Sequence, residues 1–206
     1  MKKIFAIFCL SLLLMTGCST SMGTPTGAVE KYLSKYQNLD SEILTQLDSV
    51  ISNDASMSDE QKKDYKELMI NQYKNLSYKV VNENVMGDEA EVEVEIEVLD
   101  YASNITSSKS YYNNHKDEFK DKEKKNDDKD NDKDNEGLIE EGSEMIEDAV
   151  DNISSFIDYK IKNLKEVKAT TNYTITFKLT KEDKTWKVED ISDIDMQKIH
   201  GLYEGK

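Results

Sequence analysis

The run Asp130-Asn131-Asp132-Lys133-Asp134-Asn135-Glu136-Gly137-Leu138-Ile139-Glu140-Glu141 approaches the ligand spacing of a calcium loop. Asp130, Asp132, Asp134 and Glu141 fall at positions one, three, five and twelve of a calcium loop, where carboxylates surround a hard cation. Asn135 stands where such loops place a glycine, and Asn tolerates that left-handed turn. Gly137 fills position eight, which is normally apolar, and no amphipathic helix precedes the run. The plainer reading is a solvated stretch of mixed charge, with only weak, salt-sensitive calcium binding expected. A second chemistry would need an acid in an apolar pocket, where desolvation raises a carboxyl pKa toward the working range. Asp100, between Leu99 and Tyr101, is the best-placed candidate; its bland reading is a strand-end carboxylate in water. His115 and His200 have no nucleophile or metal partner near them in sequence, and both are expected at the surface. Gly-x-Ser-x-Gly, a phosphate-binding loop and His-Glu-x-x-His are all missing, so neither an enzyme nor a cofactor is expected. Tyr32, Tyr36, Tyr73 and Tyr101, with Trp186 and Asp100, are the candidate lining of a pocket. Tyr65 and Tyr78 belong to the same aromatic set, and all six tyrosines are equally readable as core with wet hydroxyls.

The N-terminus offers a third chemistry. Lys2-Lys3 precede an apolar run from Ile4 to Met15 and then Thr16-Gly17-Cys18, which reads as a secretory signal over residues 1–17 cut before a cysteine. The run is too short for a permanent membrane span and is excluded from the fold. The pattern resembles that of bacterial lipoproteins, with Met15 where Leu is commoner. The resemblance implies that the thiol of Cys18 carries a diacylglycerol and that the mature chain starts there, held stably on a membrane by its acyl chains. Cys9 leaves with the signal, so no disulfide is available to the folded part. Loss of Lys2 and Lys3 takes the formal charge from −15 to −17, and every basic side chain is Lys. An acidic surface without guanidinium groups argues against nucleic acid as a partner.

These residues need a scaffold, and its clearest element is Glu89-Ala90-Glu91-Val92-Glu93-Val94-Glu95-Ile96-Glu97-Val98. Strict alternation makes it a strand with the aliphatic residues on one face and five glutamates on the other. Residues 18–24 are a lipidated tether, and 25–206 form a single α+β domain. Three short amphipathic helices come first. Thr24 caps the first, with Pro25 at its first position and Val29, Leu33 and Tyr36 on one face. Asp40 or Ser41 caps the second, and Ser58 with Gln61 forms a capping box on the third. A hairpin from Tyr78 turns at Gly87-Asp88 and returns along the acidic strand to Tyr101. The adjacent Val98 and Leu99 break the alternation and suggest a bulge. A second hairpin runs from Tyr173, turns at Glu182-Asp183 and ends in Trp186 and Val188. Together the hairpins predict a curved antiparallel sheet of about four strands, with Lys79, Lys178 and Lys187 in phase to oppose the glutamates. Residues 116–136 are a low-complexity acidic insert with nothing to offset the entropy of ordering. Apolar spacing then predicts one long helix over 138–165, and a last short helix from about Asp195 to Tyr203.

The segments Thr24-Pro25-Thr26-Gly27-Ala28-Val29-Glu30-Lys31-Tyr32-Leu33 and Thr185-Trp186-Lys187-Val188-Glu189-Asp190-Ile191, in this order of elements, resemble the nuclear-transport-factor-2-like superfamily. The resemblance implies a cone-shaped α+β fold, helices across the mouth of a concave sheet, and in some members a ligand cavity. Small lipoproteins of Gram-positive bacteria join a lipid-modified cysteine to such a domain. The expectation is therefore a lipid-anchored protein on the extracytoplasmic face of a cell membrane. It would act as a non-catalytic binding or scaffold module for a surface protein or small ligand. The alternatives are a cavity enzyme of isomerase or hydrolase type centred on Asp100, and a weak calcium-binding surface protein.

Overall fold

The computed structural model describes residues 23–119 and 154–205. Cys18, the calcium candidates Asp130, Asp132, Asp134 and Glu141, and most of the acidic insert lie outside the described residues.

Helix α1 (Pro25–Gln37) starts as its sequence dictates: the Thr24 hydroxyl accepts from Gly27 N at 3.1 Å, and Pro25 supplies the fixed φ of the first turn. Its apolar stripe buries Ala28, Val29, Leu33 and Tyr36. Helix α2 (Ser41–Ser52) follows and buries Ile43, Leu47 and Ile51. Helix α3 (Asp59–Asn75) opens on the expected capping box, with Gln61 N donating to Ser58 Oγ and Ser58 N donating to Gln61 Oε1. Strands β1 (Ser77–Met86), β2 (Glu89–Leu99), β3 (Thr170–Glu182) and β4 (Thr185–Val188) form one antiparallel sheet in the order β1-β2-β3-β4. Gly87, at φ +70°, turns the first hairpin, and Asp183 and Lys184 both adopt positive φ in the second. Two successive left-handed residues match the right-handed twist of the strands they join.

The acidic strand behaves as its period demands. Ala90, Val92, Val94, Ile96 and Val98 are buried, and with Ile175, Phe177 and Leu179 of β3 they make a solid apolar layer under the helices. At about 25 cal/mol per Å² this layer is the main driving force for joining sheet to helices. The irregularity lies elsewhere than expected. Val98 and Leu99 pair in unbroken register with Thr171 and Thr170, whereas β1 slips by one residue between Val80 and Asn82. The bulge turns Val81 out to solvent and returns Glu83 and Val85 to the Val92 face, since Glu83 pairs with Val92 and Val85 with Ala90.

Lys79 and Lys178 do sit opposite Glu95 and Glu91, but among the described residues neither makes an ion pair. Lys187 lies opposite Thr180 and pairs with Glu182. The comb is held instead by neutral donors. Glu97 accepts from Ser77 Oγ and Thr170 Oγ1, and Glu95 from Asn172 Nδ2. Ser77 lies directly opposite Glu97, while Thr170 and Asn172 reach their glutamates diagonally across the strand; short hydroxyl and amide side chains make such contacts with less loss of rotamer entropy than a lysine.

Tyr101 does not end the strand; it begins α4 (Tyr101–Asn114), which the sequence did not announce. Its Ser, Asn and Thr content lowers helix propensity, and burial of Tyr101, Ala102 and Ser108 supplies what propensity lacks. A 3₁₀ turn at Lys116–Glu118 and the buried Phe119 follow, so order continues into the first residues assigned to the insert. The reason is aromatic packing: Phe119 sits edge-on to Tyr111, Tyr112, Phe156 and Tyr159. Of the helix expected over 138–165, residues 138–153 lie outside the described residues; helix α5, over 154–165, packs against the rest of the domain. Ile157, Ile161 and Leu164 are buried, and Gln61 Nε2 reaches Asp158 Oδ1 at 2.7 Å.

Helix α6 (Asp193–Ile199) buries Ile199 and delivers His200 and Gly201. Gln72, fully buried in α3, fixes this corner: its carboxamide accepts from Leu99 N at 3.0 Å and donates to Leu99 O at 3.2 Å. Gly201, at φ +69°, presses against the same amide, and its carbonyl accepts from Ala102 N at 2.8 Å.

Candidate functional site

The six residues expected to share a pocket are divided among three environments. Tyr36, Tyr73 and Tyr101 are core, each no more than 2 % exposed, and Phe177 seals the sheet side at 0 %. Tyr36 stacks edge-on against Tyr73 at 5.2 Å, and Tyr101 donates its hydroxyl to Leu68 O. These rings pack against one another in the core and leave none of the three to line an open pocket. Burial pushes the Tyr36 and Tyr73 hydroxyls well above the ordinary tyrosine value, so neither serves as a base near neutral pH.

His200 belongs to this column and not to the surface. Its Nε2 lies 3.1 Å from the Tyr73 hydroxyl, and the rings are 5.6 Å apart. Desolvation brings its pKa down to about 4, which keeps the imidazole neutral at ordinary pH. His115 is exposed, as expected, and stacks on Tyr111 at 4.1 Å.

Asp100 is likewise accounted for. Its Oδ1 accepts from Ser103 N at 3.1 Å, capping α4. It borders a shallow cleft of about 350 Å³ with Ser103, Thr106, Thr171, Tyr173 and Tyr203, a polar rim without the apolar enclosure that acid catalysis would require.

Tyr32 and Trp186 meet elsewhere, at an open groove of about 620 Å³ between α1, α2 and the segment from β4 to α6. Its floor is Ala28, Tyr32, Trp186, Val188, Ile191 and Met196. Tyr32 is anchored by an edge contact to Phe177 at 5.8 Å and by its hydroxyl, 3.3 Å from that of Tyr36. Tyr36 in turn donates to Met196 Sδ at 3.5 Å. Trp186, buried at 6 % exposure, carries the Lys181 ammonium 5.4 Å above its ring. The rim is zwitterionic: Lys31, Lys35 and Lys187 face Glu42, Glu189 and Asp190, and Lys35 and Glu42 close one end at 2.7 Å.

The sequence pointed to Tyr32 and Trp186 but missed the rim and Met196. Lys31 and Lys35, four residues apart on α1, and the Glu189-Asp190 pair just after β4 are the only local signals; that they converge follows from α1 crossing β4. Among the described residues, no group of three or more His, Cys, Asp or Glu side chains is placed to hold a metal ion, and no helix is long and apolar enough to cross a membrane.

No protein-family model matches the chain, and no curated protein or solved structure matches it significantly.

Proposed function

We propose that this chain is a lipoprotein, anchored through Cys18 on the extracytoplasmic face of a cell membrane, whose α+β domain is a non-catalytic binding module. The groove between α1 and β4 carries this reading. It has a rigid aromatic and aliphatic floor, a rim of both charge signs, and a volume in the range of small-ligand sites. Such a surface suits an amphipathic ligand that bears an apolar group and both an acidic and a basic or amide group, as a short peptide does. Among the described residues, Tyr36, Tyr73 and Tyr101 fill the core and Asp100 caps α4, which supports binding over an isomerase-type reaction. The helix order and the Trp186-bearing last strand support a nuclear-transport-factor-2-like domain in which tyrosines have replaced the cavity.

The test uses Trp186, the only tryptophan in the chain. Protein labelled with 5-fluorotryptophan gives one fluorine resonance, which is followed against a panel of dipeptides, aryl carboxylates and aryl amines. Amphipathic members should shift it saturably, and Met196→Glu should abolish the shift while leaving the fold intact by circular dichroism. If no member moves the resonance at millimolar concentration, the groove is not a ligand site. The anchor is tested separately: the full chain should partition into detergent and lose that property in Cys18→Ser.

A further inference from the structure

Of the five exposed large hydrophobic side chains among the described residues, Val81, Val85 and Met86 all lie on β1. Their position relative to the chain's start is fixed by two contacts. Thr26 donates to the Glu83 carboxylate from its backbone N at 2.9 Å and from its hydroxyl at 2.6 Å. Tyr78 donates to Glu30 O at 3.5 Å. Helix α1 therefore begins beside the far half of β1 and runs away from the Gly87 turn, so the chain enters the domain at the hairpin end of the sheet. The second hairpin turns at the same end, because Lys181 N donates to Asp88 O at 2.8 Å. Residues 178–187 carry Lys178, Lys181, Lys184 and Lys187 against Glu182 and Asp183, a local positive excess in a chain of formal charge −15.

Five residues lie between Cys18 and Thr24, so a lipid on Cys18 can lie no farther than about 20 Å from the start of α1. A tether that short leaves little freedom over which end of the domain faces the bilayer. We infer that the hairpin end is the membrane-docking surface: Val85 and Met86 reach the boundary between headgroups and acyl chains, and Lys184 reaches lipid phosphates. This rests on the lipid anchor proposed above. The apolar contact leads and charge assists, since Asp88 and Glu89 share the tip. Two apolar side chains at the tip add buried apolar area to an anchor its acyl chains already hold, and so fix which end of the domain faces the bilayer. A second copy pairing along β1 is disfavoured by the bulge at Val81, which interrupts the edge ladder.

The experiment uses the full chain expressed with its lipid and reconstituted in phosphatidylcholine and phosphatidylglycerol vesicles. There Cys18 is blocked as a thioether, and Met86→Cys offers the single free thiol for an environment-sensitive fluorophore. Val50→Cys, on the remote and exposed α2, is the reference. The Met86 probe should shift to the blue and be quenched several-fold more than the Val50 probe by lipids carrying a shallow nitroxide. Equal, water-like probes on a chain whose mass includes the diacylglycerol would overturn the docking surface and leave the anchor standing. A mass without the diacylglycerol would remove the anchor and the inference with it. A blue shift without quenching, accompanied by a dimer in detergent, would assign β1 to a second copy and also overturn the inference.

Discussion

His200 shows how one half-buried side chain sets a pH limit. Its folded pKa, about 4, lies below the ordinary histidine value of about 6.5, so the unfolded chain binds the proton more tightly and stability must fall as pH falls from about 6.5 toward 4. The loss levels off below 4 and amounts to about 3 kcal/mol at most. Urea midpoints for the wild type should drop across that window, and His200→Phe should flatten the slope there. A slope unchanged by the substitution would mean that other groups carry the acid sensitivity. Gly201 sets a steric limit. A Cβ at this position would lie 2.2 Å from both Gln72 Nε2 and Leu99 O, and φ +69° is itself unfavourable for a side chain. Gly201→Ala should cost about 2 kcal/mol or more, read as a lowered urea midpoint with unchanged m-value, because backbone on one side and a doubly bonded amide on the other cannot give way.

At the scale of elements, α4 is the helix most dependent on a single cap. Its composition is poor in helix formers and its only N-terminal side-chain cap is Asp100. Asp100→Ala should destabilise the domain by about 1 kcal/mol, whereas Asp100→Asn, which keeps an acceptor for Ser103 N, should lose only a few tenths. The same pair separates structure from chemistry: both variants should leave groove binding, read on the Trp186 fluorine signal, unaltered. The bulge in β1 is a second element-scale device. If Val81 paired in a regular ladder instead of bulging, Asn82, Asn84 and Met86 would turn to the helix side and Glu83 would swing away from Thr26, breaking the contact that holds the start of α1.

For the whole molecule, charge repulsion is the dominant long-range term. Five glutamates line one strand, and most of the ion pairs among the described residues, Lys198–Asp195 excepted, are exposed enough to be worth little each. Screening should therefore relieve more repulsion than it removes attraction. The melting temperature should rise by about 2–4 °C between low salt and 0.5 M sodium chloride, the equivalent of about 1 kcal/mol for a chain of this size. A fall would show that the exposed pairs outweigh the comb.

The sequence by itself determined several features governed by near neighbours. The caps at Thr24, Ser58 and Gln61, the turn at Gly87 and the two-sided acidic strand depend on interactions within a few residues, and each stands where its spacing places it. Tertiary structure decided whatever required knowing which faces meet. Tyr36 and Tyr73 share the helical spacing of pocket-lining residues, yet a ring packed against a ring closes a pocket just as readily as it lines one. Helix α4 forms against its propensity because Tyr101 and Ala102 are buried, and His200 is neutral because α6 carries it under Tyr73. The groove beside Trp186 exists only where α1 crosses β4, more than 150 residues apart in sequence, and no local pattern encodes a meeting between surfaces that distant.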